Sequence, residues 1–225
     1  MLFWGILPGM SGADFQRLAD RHGLLTGPLG AFDTSVSAWR QGALELGDGT
    51  HFLFVERGDA TLSLRGRDLL LPPGWHASVP GPAVVTGDRG LVITRGGWRG
   101  LLQIGGPLEE RGRLRYIDGC TDTLLVAPPR FGDACLNHLH IPPGTAQTQH
   151  THPSLRAGLI VRGRGRCVTP DGEQALLPGL AFVIPAGCRH SFFTDDLALD
   201  VLAYHPDSDF GPTDAAHPMV NRTVL

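Results

Sequence analysis

The sequence predicts an all-β protein made of two small barrels, and three observations carry that prediction. Short apolar runs are separated by turn residues, with 31 glycines and 18 prolines concentrated between them. The two halves echo each other: Gly66, five residues and Pro72-Pro73-Gly74 match Gly179, five residues and Pro185-Ala186-Gly187. FLFVERGDATLSL in the first half similarly resembles GLIVRGRGRCVTP in the second. Finally, 225 residues with 42 % hydrophobic and 18 % charged content suit a compact protein with a buried core. Two barrels of roughly a hundred residues each would account for that length.

Along the chain, one helix is expected first. Ser11 can cap it, Phe15, Leu18 and Ala19 fall at helical spacing, and Gly23 ends it. Strands follow at His51 (HFLFV), Ala60 (ATLSL), Arg67 (RDLLL), Trp75 (WHASV) and Gly90 (GLVITR). Charge, glycine and proline rise between about Gly105 and Asp133, which reads as a connection. The second series is LNHLHI, TAQTQHTH, AGLIVRG, GRCVTP, EQALLP, LAFVIP, HSFFT and LALDVLAYH. The expected division is therefore 1–105, a first barrel with its leading helix; 106–133, a connector; 134–205, a second barrel; and 206–225, a surface tail.

Charge and special residues exclude several functions. Net charge is −3 with no basic stripe, which argues against nucleic acid as a partner. Every one of the 19 basic residues is arginine, so Schiff-base chemistry on lysine is excluded. We read that bias as a high-GC bacterial codon preference. Cys120, Cys135, Cys167 and Cys188 form no CxxC pair and are expected as reduced thiols in a cytoplasmic protein. The apolar start MLFWGILPGM lacks a basic n-region, and no run reaches the roughly 20 apolar residues of a membrane span.

GTAQTQHTHP, from Gly144 to Pro153, carries the chemistry. On a strand, alternate side chains share a face, so Thr148, His150 and His152 are expected to point into one barrel. Two imidazoles so placed can grip one ion. GLAFVIPAGCRH, from Gly179, then brings His190 in behind a Pro185–Gly187 corner.

Both segments resemble the two motifs of the cupin superfamily. Gly144, His150, His152 and Gly163 occupy their places in G-x5-H-x-H-x3/4-E-x6-G, and Gly179, Pro185, Gly187 and His190 in G-x5-P-x-G-x2-H-x3-N. The pseudo-repeat extends a weaker resemblance over most of the chain, as in bicupins. The resemblance implies jelly-roll-like barrels (double-stranded β-helices) and one divalent metal on His150, His152 and His190. Fe(II) is favoured, with Zn, Mn, Ni or Cu as alternatives. It also makes a homodimer an expectation. Arg156 stands where the family's glutamate ligand falls, and Thr194 where its asparagine does. Arginine stays protonated and cannot ligate a metal. In the first half the corresponding places hold Glu45, Gly47 and Ala77, with His76 on the opposite face, so that barrel is degenerate.

Further residues carry two readings each. Thr148 is either a substrate hydrogen-bond partner or a plain barrel residue, while Gln147 and Gln149 reach the site only through a bulge. Arg156, if inward, needs an anionic partner: a substrate carboxylate, or an acid such as Asp200. His138 and His140 share a face opposite Leu139 and Ile141 and are expected at the surface. Tyr204 and His205 end the last strand and are candidate proton donors, and Cys188 reads as an inert thiol. The resulting expectation is a metal-dependent enzyme acting on a small organic molecule, with an Fe(II) dioxygenase leading. Three-histidine cupins that it resembles include the thiol dioxygenases and the β-diketone-cleaving dioxygenase. A non-redox isomerase or lyase, and a ligand-binding or sensory cupin without turnover, stay open.

Overall fold

The computed structural model describes residues 14–220. Seventeen strands account for nearly all its regular structure. The first eight are β1 (Gln16–Arg17), β2 (Gly23–Leu29), β3 (Thr34–Leu46), β4 (Thr50–Leu64), β5 (Arg67–Leu71), β6 (His76–Pro80), β7 (Ala83–Arg95) and β8 (Gln103–Gly105). Then come β9 (Leu114–Arg115), β10 (Thr121–Val126), β11 (Cys135–Ile141), β12 (Arg156–Gly163) and β13 (Gly165–Thr169). The last are β14 (Gly172–Leu176), β15 (Ala181–Ile184), β16 (Ser191–Phe193) and β17 (Leu199–His205).

All pairings are antiparallel. One sheet runs β2-β3-β7-β4-β6-β8, with β5 added to β4; a second runs β1-β15-β12-β17-β11-β10-β9; a small third runs β14-β13-β16. The two large sheets pack against each other, and each also covers a barrel interior. Strand alternation divides the side chains accordingly. On β4, Phe52 and Phe54 enter the core between the sheets, while Leu53 and Val55 enter the first barrel. On β17, Leu202 and Tyr204 face the shared core, and Leu199 and Val201 face the second barrel. Both faces being buried, these strands read as continuous apolar runs in the sequence.

The expected N-terminal helix does not form over its described part, Phe15 to Gly23; Ser11 lies outside the described residues. Instead β1 pairs with β15, Gln16 opposite Val183 and Arg17 opposite Phe182, which ties the start of the chain to the second barrel. Phe15 stacks on Phe182 at 5.2 Å, and the Leu18 amide donates to the Ala181 carbonyl at 2.9 Å. The apolar spacing thus marks a strand edge and an anchor. A tertiary partner overrides weak local helix propensity.

Residues 106–133 contain β9 and β10, and β10 pairs with β11, so this stretch contributes strands to the second large sheet. The later part of the chain lies against it. The Phe131 amide bonds the Pro212 carbonyl, and Arg130 pairs with Asp214.

His51 is nearly fully buried in the first barrel. Its Nε2–H donates to the Gly47 carbonyl (3.0 Å), leaving Nδ1 to accept from the Thr94 hydroxyl (2.8 Å). Burial lowers its pKa below 6.5, against the weaker opposing effect of the Gly47 bond.

Two predictions follow from these contacts. Phe15→Ala removes a buried ring and is expected to cost about 3 kcal/mol or more of stability in denaturant unfolding. A loss under about 1 kcal/mol would mean that β1 does not tie down the second barrel. For His51, the unfolded chain binds the proton more tightly than the folded one. Its contribution is complete above pH 6.5 and is lost as pH falls below that value. Comparing unfolding at pH 7.5 and pH 5 should show a shallower decline for His51→Gln than for the parent; equal slopes would refute this account.

Candidate metal centre

The site is assembled where two chain segments meet edge to edge. The His150 amide donates to the His190 carbonyl and the His190 amide returns the bond, both at 2.9 Å. This pairing sets the two imidazoles side by side, ring centroids 4.6 Å apart. His152 joins them at 5.0 Å from His150 and 5.2 Å from His190. One ligand nitrogen from each of the three lies within 4.8 Å of the others. Among the described residues, no other histidine, cysteine or carboxylate group of three converges in this way.

Local structure explains the convergence. Pro185–Gly187 makes the corner, with Gly187 in the left-handed region (φ 73) and its amide bonded to the His152 carbonyl at 2.8 Å. The corner therefore holds His152 and delivers His190 in one motif. Two tautomers are fixed by backbone acceptors: Nδ1–H of His150 donates to the Thr148 carbonyl (2.8 Å), and Nδ1–H of His190 to the Cys188 carbonyl (2.9 Å). In both, Nε2 is left with a bare lone pair, the state a metal requires. Burial, with Arg156 next in weight, pushes the His152 pKa down to about 3. Burial likewise drives His190 down to about 4, so both rings are neutral at pH 7. Neutral rings with free nitrogens converging on one point fit a divalent ion.

The three rings open onto a cavity of about 50 Å³. Phe182, Ile184 and Phe192 line it with apolar surface; Tyr116, Gln147, Arg156 and His205 supply polar groups. Arg156 does point inward. Its Nη1 bonds Ser154 Oγ (2.7 Å) and the carbonyls of Ser154 and Leu155, and its buried Nε has no partner. The expected alternative, a pair with Asp200, is ruled out by where Asp200 lies. That carboxylate accepts from His138 Nε2 (2.8 Å), His140 Nδ1 (2.9 Å) and Arg162 Nε (2.9 Å). Burial alone would raise its pKa, but these partners lower it.

The structure separates the remaining candidates. Thr148 is exposed, its amide and hydroxyl bonded to Asp118 and turned from the cavity. Gln147 enters instead: it is 4 % exposed, its Oε1 accepts from the Phe192 amide, and its Nε2 is buried without a partner. The cause is a bulge. Ala146 bridges Phe193 and His150 bridges His190, four steps on one side against three on the other. Tyr204 is wholly buried in the core between the sheets, 5.0 Å from the Phe52 ring, and does not line the cavity. His205, one residue on, does line it, 6.3 Å from the His152 ring, and burial holds its pKa well below 6.5. His138 and His140 are not at the surface: the face opposite Leu139 is covered by neighbouring structure, and His138 is fully buried. All four cysteines are free and buried, Cys188 included. Tyr116, at the cavity rim, was not anticipated; it arrives from the stretch read as a connector and has no motif to announce it.

In the first barrel, Ala77 packs in the apolar core and Glu45 is exposed, so the places of the metal ligands carry no cluster.

Comparison with known proteins agrees with this architecture. Residues 137–203 match the family model described as Cupin domain. No curated protein matches the chain. Among solved structures, a cupin 2 conserved barrel domain protein from Leptotrichia buccalis is similar at 14 % identity, covering 88 % of this chain and 91 % of that one, with a TM-score of 0.55. Protein Ylba from E. coli aligns at 17 % identity over 94 % of this chain and 89 % of its own, TM-score 0.60. A salicylate 1,2-dioxygenase from Pseudaminobacter salicylatoxidans, also solved with gentisate, aligns at 12 % identity over 77 % of this chain and 70 % of its own, TM-score 0.59. Barrel topology, matched motifs and family model together identify a cupin domain in the second barrel, over residues 137–203.

Proposed function

We propose that the chain is a metal-dependent enzyme acting on a small organic acid, with His150, His152 and His190 as the ligands and Fe(II) as the metal. One observation supports this most: three imidazoles converge beside a buried arginine that has no direct carboxylate partner. Fe(II) bound by these three imidazoles would supply Lewis-acid and oxygen chemistry to a substrate held beside it.

The chain's own residues do the rest. Arg156 is the anchor for a substrate carboxylate, its buried Nε offering an unused donor. Gln147 offers a second unused donor, Nε2, and so orients a substrate oxygen. His205 stays neutral and can exchange a hydrogen bond, or a proton, with the substrate. Phe182, Ile184 and Phe192 exclude water, which strengthens each of these polar contacts. The dioxygenase among the similar structures lends this oxygen chemistry support, at the level of fold. His205 beside His152 also favours a second reading, a non-redox isomerase or lyase in which proton transfer alone is the chemistry.

The first test is elemental mass spectrometry of protein purified anaerobically without chelator. About one iron per chain, with oxygen uptake on small carboxylates, is the expected result; stoichiometric zinc, manganese or nickel would transfer support to the non-redox reading. His150→Ala and His190→Ala are each expected to abolish metal retention with the circular dichroism spectrum unchanged. Normal metal content in both would sink the site assignment. Arg156→Gln is expected to raise KM for a carboxylate substrate by about tenfold or more, the loss of a charge-assisted bond, while metal content holds. An unaltered KM would remove Arg156 from substrate binding.

A further inference from the structure

The first barrel carries no ligand cluster, yet it has an open recess of about 480 Å³, within the size range of small-molecule sites. Leu64, Leu69, Pro80, Leu101 and Leu102 give the recess its apolar surface, and Arg65, Arg67 and Arg99 give it its charge. Strand register explains this composition. Arg67 lies opposite Leu64 and Leu69 opposite Leu62, so these side chains share the face that leads into the first barrel's core. Asp68 falls on the other face, where it accepts from the Ser63 hydroxyl at 2.6 Å and is unavailable to the recess. Arg65 is set at the rim by the Arg65-Gly66 turn, both residues in the left-handed region (φ 51 and 73). Arg99 arrives from the segment between β7 and β8, beside Leu101 and Leu102, which are 58 % and 48 % exposed.

These three arginines differ from most others in the chain. Arg40, Arg89, Arg57 and Arg162 all lie on carboxylates, whereas no side-chain partner is found for Arg65, Arg67 or Arg99 among the described residues. Three unneutralised guanidiniums around one apolar recess, in a chain of net charge −3, form a local positive potential. Exposed leucines beside them mark a surface that gains by being covered. Charge and apolarity together specify one ligand class.

We propose that this recess is a second ligand site, separate from the histidine centre, for a free amphiphilic carboxylate. The head group lies among Arg65, Arg67 and Arg99, and the apolar tail covers Leu64, Leu69, Leu101 and Leu102. Guanidinium matches carboxylate with paired donors, and the leucines supply the tail's burial energy.

Isothermal titration calorimetry of the full chain with sodium octanoate tests this. One equivalent is expected to bind, at least tenfold tighter than acetate or octan-1-ol. Arg67→Gln/Arg99→Gln should weaken octanoate at least tenfold with metal content and thermal midpoint unchanged. Arg65→Gln/Arg99→Gln serves as the second variant should the first lower the midpoint. Octanoate binding that survives both double variants, or equal binding of octan-1-ol, overturns the proposal. Loss of octanoate binding in Arg156→Gln would place the ligand at the histidine centre and overturn it as well. Preference for vesicles of anionic phospholipid over free octanoate would make the recess a membrane contact, again against it.

Discussion

The reciprocal backbone bonds between His150 and His190 are the constraint on which the whole site depends. A hydrogen-bonded antiparallel pair brings its two α-carbons to about 5.5 Å and sends both side chains to the same face. The rings then sit 4.6 Å apart without any side-chain force drawing them together. His152 follows two residues later on that face, held through the Gly187 amide on its carbonyl. Ligand geometry here is a property of strand pairing, and the metal would enter a frame already built. That matters because nitrogen lone pairs aimed at one point repel one another; backbone bonds supply energy that holds the rings close.

The same pairing contains the irregularity that decides what else reaches the cavity. Four residues span one side of the bridge interval and three the other, so the extra residue turns Gln147 inward and Thr148 outward. Gln147 keeps its place by accepting from the Phe192 amide, a bond a bulged strand would otherwise leave unmade. Thr148 outside is no idle residue. Its two bonds to Asp118 hold the stretch that carries Tyr116 at the cavity rim. A single inserted residue thus exchanges a hydroxyl for a carboxamide inside and secures the rim from outside.

The sequence carried the barrel architecture, the repeat and the three histidines, because turn chemistry and ligand spacing are local signals. What it did not show has a tertiary origin in each case. The helical spacing of Phe15, Leu18 and Ala19 was too short to outweigh Phe182, which takes Phe15 into a strand edge. Alternation correctly placed His138 and His140 opposite Leu139, but the rule that polar faces meet water fails when a second sheet covers that face. Burial there is tolerated because Asp200 accepts from both rings while Arg162 balances its charge. Alternation also separates Tyr204 from His205: neighbours on a strand cannot both enter one cavity. Of the two candidate proton donors, His205 lines the site.

The two barrels divide the work by what fills them. In the first, Trp39, Leu53, Leu62, Leu71 and Val85 pack the interior, and each is fully buried. The imidazole buried in that barrel, His51, has both ring nitrogens bonded, so the core can be dense and its outer face can brace the second sheet through Phe52 and Phe54. The second barrel gives up part of its apolar interior to three imidazoles, Gln147 and Arg156 around a cavity. Desolvated polar groups without partners lower stability, and Gln147 Nε2 and Arg156 Nε are two of them. Bracing by a solid neighbour, together with β1 across its edge, lets the second barrel hold such groups in place. The degenerate half is therefore explained by mechanics: a barrel without ligands is the better support for one that carries them.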